Sequence, residues 1–354
     1  MKILHVAPIG NLKQGIGAVL SNLVPLQIVK GCDVKIVSPR ENKAYPELNV
    51  LWISNKREFE KLIEDWVPDI VQFHSVYWAE YIGFYKALLC KGIPYVVQLH
   101  GALSEANYKK HKWKKWIANT LFFNEYLKNA KTIIYLSKRE QEVSIVPKIN
   151  KVASVLPNGC AAPIYPVSDR IPSSPIDLVY IGRLAIEHKG LDLMMLAINE
   201  VKKMRDIDCH FSFYGNLQDS DAERFLSMLK PFKGFADFYG GIYGEEKYKR
   251  LHESDIFIQT SRFEGLPMGV LEALSYGVPC ILTPGTNLAE IVKESGAGWE
   301  TAFDYKQMSL IIRKAIKDYI TNYKTMRDNA VRLSRKYNWD YIAIKSIELY
   351  KKLI

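Results

Sequence analysis

Long apolar runs are missing from this 354-residue chain, and none approaches the ~18 consecutive residues that a membrane-spanning helix needs. The start, Met1-Lys2-Ile3-Leu4-His5-Val6-Ala7-Pro8, is basic and briefly apolar but lacks a full signal-peptide core, so it reads as a first strand. Cysteine is scarce. The five present (Cys32, Cys90, Cys160, Cys209 and Cys280) are odd in number, scattered and without a Cys-x-x-Cys pair. That argues against a disulfide framework or a zinc site and for a reducing, cytoplasmic setting. Low-complexity tracts are absent. Asp206-Ile207-Asp208 and Asp219-Ser220-Asp221 match Asp-x-Asp but fall in polar turns, where solvated surface acids are the expected reading. No metal or other cofactor is implied. The dinucleotide fingerprint is incomplete as well. Gly15-Ile16-Gly17 is followed by Leu20 where a third glycine would fall, and Asp33, the nearby acid, is a poor match. A cofactor-binding or non-catalytic Rossmann protein therefore has little support.

What is present describes a globular chain too long for one ordinary core. Hydrophobic residues make up 48% of it and the mean hydropathy is −0.10, and the length suits two domains. The net charge of +10 suits an anionic partner: nucleic acid, phosphorylated metabolites or an acidic membrane surface.

Strands and helices alternate through the first half. Strands are expected at 2–7, 34–38, 50–53, 69–73, 94–99, 131–136 and 152–156, with helices at 18–30, 58–66, 80–91 and, as one long helical region, 104–129. Pro157, Pro163, Pro166, Pro172 and Pro175, with Ser168, Ser173 and Ser174 between them, mark a linker near 160–175. The alternation then restarts and closes with three helices at 305–319, 321–336 and 340–354. Such patterns predict parallel sheets covered on both faces. In doubly wound α/β sheets, ligands bind beyond the carboxyl ends of the strands, so with two halves the expected site is a cleft between them.

Chemistry concentrates after the strand expected at 255–260. The following loop, Ser261-Arg262-Phe263-Glu264-Gly265-Leu266, carries one carboxylate, Pro267 falls at a first helical position, and Glu272 sits one turn further on. The early backbone N–H groups of that helix, on Met268, Gly269 and Val270, are expected to be unfilled, which favours a phosphate. Arg183, after the strand ending at Ile181, and Lys189, opening the next helix, project from the same edge. A guanidinium grips phosphate oxygens bidentately and an ammonium acts as a point charge, so together they can neutralise a diphosphate.

These residues resemble a known family. Gly182-Arg183-Leu184, Lys189-Gly190, Gly215, and Phe263-Glu264-Gly265-Leu266-Pro267 running to Glu272-Ala273 in a Glu-x7-Glu frame look like the retaining nucleotide-sugar glycosyltransferases of family 4. The resemblance runs over the whole chain, including the glycine loop after the first strand, His100-Gly101 and Pro157-Asn158-Gly159. It implies the GT-B architecture, with two Rossmann-like doubly wound α/β domains facing across a cleft. Residues 1–165 would form an acceptor-binding domain and 166–336 a nucleotide-sugar-binding domain, with 337–354 a helix returning to the first. It implies a metal-independent transfer of a hexose-type sugar to a glycan or polyprenyl-linked acceptor, in cell-surface polysaccharide synthesis. Arg183 and Lys189 would bind the donor diphosphate, Glu272 the ribose hydroxyls, and Glu264 the donor sugar. The amides of Leu266, Met268 and Gly269 would surround the sugar and distal phosphate. His100 would sit near the reacting carbon from the opposite domain. Gly15 would let backbone approach the phosphates, with Gly17, Gly182 and Gly215 also at the donor.

The chain departs from the family pattern at Gln14, at Asn216-Leu217 after Gly215, at Pro284-Gly285-Thr286-Asn287 and at Cys160-Ala161. Those sites line base and sugar pockets in the family, so they bear on donor identity. A GT-B sugar-nucleotide epimerase, acting on the donor alone, is the alternative enzyme. Lys109, Lys110, Lys112, Trp113, Lys115 and Trp116 interleave lysine with tryptophan on an expected helix, which suits an anionic membrane surface as well as a solvated face with buried tryptophans. Nucleic acid is not expected, because no groove-reading or base-stacking motif accompanies the lysines.

Overall fold

The structure is a computed structural model that describes residues 1–9, 15–39, 50–101, 103, 122–165, 170–218 and 220–354. The chain divides into two compact units, Met1–Gly159 with Trp339–Ile354, and Cys160–Asn338.

The first unit is built on a seven-stranded parallel sheet in the order β3-β2-β1-β4-β5-β6-β7. Its strands are β1 (Lys2–Val6), β2 (Asp33–Ser38), β3 (Val50–Trp52), β4 (Ile70–His74), β5 (Tyr95–Gln98), β6 (Ile133–Tyr135) and β7 (Ala153–Val155). Every residue of β4 and β5 is buried, as expected for a parallel sheet covered on both faces. On one face Phe73, Tyr81, Tyr85, Tyr95 and Tyr126 interlock as an aromatic cluster, with Phe73 edge-on to Tyr95 and Tyr126. On the other, α1 (Gly15–Val29) packs against the last helix of the chain, Trp339–Lys351. Trp339 lies so close to Gly159 that a Cβ there would fall 2.4 Å from the indole.

The second unit carries a six-stranded parallel sheet in the order β10-β9-β8-β11-β12-β13. These are β8 (Ile176–Ile181), β9 (Cys209–Tyr214), β10 (Ala236–Phe238), β11 (Ile256–Gln259), β12 (Cys280–Leu282) and β13 (Gly298–Glu300). Ile176, Leu178 and Tyr180 point into a core that includes Met194, Ile198, Phe211, Phe213, Phe225 and Ile316. Both sheets reverse strand order beside their first strand, between β1 and β4 and between β8 and β11. Each therefore has a switch point where loops splay apart and leave a crevice.

Several details differ from the expectations. Strand β13 was not anticipated, because Gly298-Trp299-Glu300 carries no β-branched residue; it forms by pairing Trp299 with Ile281. The helices expected at 305–319 and 321–336 form one run, Tyr305–Ser334, with Asn322 as a non-helical joint at φ −125 and ψ 20. Most of the expected helical region 104–129 lies outside the described residues, and its described end is a helix at Asn124–Lys128. Among the described residues no helix is long and apolar enough to cross a membrane, and all five cysteines are free.

Candidate functional site

The switch point of the second sheet lies between the loop after β8 and the loop after β11. Beside it, the loops after β8 and β9 pack closely. A Cβ on Gly215 would fall 2.6 Å from Leu184 Cδ2 and 2.8 Å from the Gly182 carbonyl, and one on Gly182 would fall 2.8 Å from the Tyr180 hydroxyl. That hydroxyl, on a buried side chain, donates to the Arg183 carbonyl at 2.7 Å. The loop is thus tied to the core while the Arg183 side chain stays exposed.

His188 links the two loops. Its Nε2 lies 2.7 Å from the Phe263 carbonyl, so Nε2 carries the hydrogen and Nδ1 accepts from Arg183 Nη2 at 3.2 Å. The imidazole stacks on Phe263 with centroids 4.2 Å apart. Burial, with Lys189 and Arg183 alongside, holds it below the ordinary histidine value despite the opposing pull of Glu264. Two residues later, Gly190 takes φ +65, and a Cβ there would fall 2.1 Å from the Thr260 carbonyl.

Lys189 Nζ reaches Glu264 Oε1 at 2.5 Å, and both side chains are nearly buried. Ser261 Oγ donates to the same oxygen at 2.7 Å and Gln259 Nε2 at 3.2 Å. Burial works against the charged carboxylate, but Lys189, with His188 and Ser261, holds Glu264 below the usual carboxylate range. Oε1 is thereby saturated. Oε2 has His188 Nε2 3.9 Å away and remains an acceptor. The loop itself is pinned by Asn287, a left-handed residue at φ 60 whose amide donates to the carbonyls of Glu264 at 2.7 Å and Gly265 at 2.9 Å. Gly285 is needed for this closure, since a Cβ would fall 2.3 Å from the Arg262 carbonyl.

The helix after the loop begins at Met268, not Pro267, which is its N-cap at φ −74 and ψ 112. Val270 N–H is also spent, bonding the Pro267 carbonyl at 3.1 Å. That corrects the expectation of three open amides: Met268 and Gly269 retain N–H groups without a backbone acceptor among the described residues. Leu266 is buried, so its side chain anchors the loop. Gly269 has room for a Cβ, with its nearest neighbours at 3.5 Å. Glu272 is bridged by Lys247, from the helix Gly244–His252, at 2.8 Å to Oε1 and 2.7 Å to Oε2.

In the first unit, His100 follows β5 in a left-handed conformation, φ 51, and Gly101 follows at φ 78. His100 Nε2 contacts His74 Nδ1 at 2.9 Å. The Gly101 N–H donates to Glu140 Oε1 at 2.6 Å, and the Leu136 N–H donates to the other carboxylate oxygen at 2.5 Å. Gly15 opens α1 at φ 56 with open space around a would-be Cβ, and Gly17 is buried in that helix.

The second unit therefore brings Gly182, Arg183, Lys189, Gly215, Glu264, Leu266, Met268, Gly269 and Glu272 to one sheet edge. Lys109, Lys110, Lys112, Trp113, Lys115 and Trp116 lie outside the described residues, as does Asp219. Asp206 is gripped by Arg313 and Lys317, each at 2.5 Å, and Asp221 accepts from the Ile186 amide at 2.8 Å. Sequence reasoning missed His188, Lys247, Gln259, Ser261 and Asn287. A signal existed for two of them: Gln259 is the one polar residue of β11 and Ser261 follows shortly after its end.

Residues 163–333 match the family described as Glycosyl transferases group 1, and residues 14–161 match Glycosyltransferase Family 4. Protein CapJ of Staphylococcus aureus is 24% identical over 311 residues, covering 77% of this chain and 70% of that protein. A glycogen synthase of Bacillus cereus strain B4264 is 29% identical over 178 residues, 48% of this chain and 36% of the synthase. The chain thus spans between about a third and a half of the length of the glycogen synthases it matches. Its fold is that of Anabaena Alr3699/HepE, solved in complex with UDP-glucose, at a TM-score of 0.76 and 16% identity over 99% of this chain and 100% of that one. The two family matches occupy most of the chain in adjoining halves, each on one parallel sheet, and the chain belongs to the GT-B glycosyltransferases of family 4 type.

Proposed function

We propose that this chain transfers a hexose-type sugar from a nucleoside diphosphate sugar to a glycan or lipid-linked acceptor, with retention at the anomeric carbon, in polysaccharide synthesis. The observation that carries the reading is the meeting of Arg183, Lys189 and Glu264 at the switch point of the second sheet, beside the open amides of Met268 and Gly269. A diphosphate needs cations and N–H donors, and sugar hydroxyls need an acceptor. The UDP-glucose bound by Alr3699/HepE supports a donor of this kind, and the name of the glycogen synthases supports a polysaccharide product.

In this reading Arg183 and Lys189 hold the diphosphate, Glu264 offers Oε2 to sugar hydroxyls, and Glu272 accepts from the ribose once Lys247 yields an oxygen. The acceptor hydroxyl oxygen attacks the anomeric carbon from the face that the diphosphate leaves. The carbon–oxygen bond to the distal phosphate breaks with its electron pair on phosphate, and that oxygen takes the hydroxyl proton. Glu264 is poorly suited to act as a nucleophile, because Lys189, Ser261 and Gln259 all occupy its Oε1. The two cations supply the charge stabilisation a bound metal would otherwise give.

Arg183→Ala should lower turnover by on the order of 100-fold with the fold intact, and Lys189→Ala should lower it as much while also costing stability, because it strands the nearly buried Glu264 carboxylate. Activity should survive EDTA. Near-normal turnover in both variants would overturn the diphosphate assignment.

A further inference from the structure

A line of polar side chains runs through the core of the first unit and ends at His100. Ser346, on the last helix, donates its hydroxyl to the Ala343 carbonyl at 2.7 Å. Its oxygen therefore accepts from Gln27 Nε2 at 3.0 Å. That contact fixes the Gln27 amide, and its Oε1 faces His5 Nε2 at 2.9 Å. An amide oxygen can only accept, so His5 carries its hydrogen on Nε2 and leaves Nδ1 bare. Nδ1 of His5 lies 3.0 Å from His74 Nε2, which must then donate. His74 Nδ1 is left to accept from His100 Nε2 at 2.9 Å.

We propose that Gln27, His5 and His74 are positioning residues that hold His100 in one tautomer, with hydrogen on Nε2 and a lone pair on Nδ1 offered to a substrate hydroxyl. The tautomer assignment stands on the geometry; the use of Nδ1 rests on the glycosyltransferase reading above. The residues are well placed for this task. Ser346, Gln27, His5 and His74 are all buried, so water cannot substitute for a missing partner and every hydrogen must agree in direction. Burial depresses His5 and His100 to about 4 and His74 below the ordinary value, which keeps all three neutral. A proton added to His5 or His74 would set two N–H groups against each other. The Tyr81 hydroxyl fixes the backbone at His74 O, 2.9 Å away, and Glu140 fixes Gly101 beside His100. No described residue donates to His100 Nδ1. The line cannot conduct a proton onward, because the Gln27 amide passes none, so it serves to orient.

The test uses the full chain with isotopically labelled imidazole nitrogens. Nitrogen NMR at neutral pH should show His5, His74 and His100 all protonated on Nε2, with His100 Nδ1 bare. Gln27→Glu places an acceptor charge beside His5, draws a second proton onto that ring, and should reverse the line so that His100 becomes protonated on Nδ1. If that variant does not fold, Gln27→Met, of similar size, should give His100 mixed tautomers. In either variant turnover should fall about tenfold, the worth of one misdirected buried hydrogen bond, while donor Kd stays within about twofold. A wild-type His100 protonated on Nδ1, or an unchanged tautomer in the variant that folds, overturns the proposal. Absence of transfer from every nucleoside diphosphate sugar tried would instead strike the functional reading, and the tautomer measurement would still decide this one.

Discussion

Lys247 Nζ lies 2.8 Å from Glu272 Oε1 and 2.7 Å from Oε2, so the carboxylate assigned to ribose hydroxyls is spanned by an ammonium of its own chain. Both side chains are largely withdrawn from water, 23% and 14% exposed. Lys247→Met should then leave a half-buried charge uncompensated and destabilise the chain by ~1–2 kcal/mol. Glu272→Gln in the same chain should recover part of the loss. A double-mutant cycle by chemical denaturation should return a coupling of about 1 kcal/mol, and zero coupling would show the pair to be incidental.

His188 makes the donor site sensitive to acid. Its Nδ1 accepts from Arg183 while neutral; a proton on Nδ1 would end that bond and place a third positive charge beside Arg183 and Lys189. Since His188 lies below the usual 6.5, kcat/KM should hold at neutral pH and fall as pH drops through the lowered value. His188→Gln, whose amide can both donate and accept, should keep activity within about tenfold at neutral pH and lose this acid limb. A pH–rate profile that keeps the limb in His188→Gln would refute the assignment.

The first unit should show opposed proton linkages. His5 and His100 titrate near 4 in the fold against 6.5 unfolded, and His74 is lowered too. The unfolded chain therefore binds more protons in that window, and stability is lost as pH falls from 6.5 toward 4, by up to ~1.4 kcal/mol per pH unit for each fully shifted group. Glu140 runs the other way. Burial raises it from 4.5 to about 7 despite two backbone N–H donors, so its contribution declines as pH rises across that range. Glu140→Gln should make the rise in stability from pH ~4 to ~6.5 steeper. Denaturation midpoints across that range check the slope, and a flat profile in both proteins would contradict the buried neutral histidines.

Two glycines separate folding from binding. Gly190→Ala forces a side chain to φ +65 and to within 2.1 Å of the Thr260 carbonyl, and should destabilise by ~2 kcal/mol or more. Gly269→Ala meets its nearest atoms at 3.5 Å and lies in a helix, where alanine is favoured by up to ~1 kcal/mol. It should fold at least as well as the parent, and bind donor less well because the methyl stands beside the open amides. Thermal unfolding with and without a nucleoside diphosphate sugar distinguishes the two effects.

The second sheet was readable because β8 and β11 are largely apolar runs and β9 alternates apolar with polar residues, and the ends of β8 and β11 placed Arg183, Lys189 and Glu264 on one edge. What escaped depends on contacts between distant residues. Lys247 looks like any exposed helix lysine until Glu272 is seen beside it. Strand β13 has only Trp299 to favour a strand, between a glycine and a glutamate that do not, and exists because β12 offers it an edge. His188 reads as a neighbour of Lys189, whereas its partners Phe263 and Glu264 come 75 residues or so later. The helix start shifted by one residue because proline satisfies both the N-cap and the first helical position.

The return of the last helix to the first sheet also sets an order of assembly. Gln27 and Ser346 are 319 residues apart, and Trp339 fills the space over Gly159. As the ribosome delivers the chain from its amino end, the unit that emerges first must wait with a bared flank, its buried amide and histidines unanchored, while the second unit is synthesised and folds. The half that begins folding earliest is the half that finishes last.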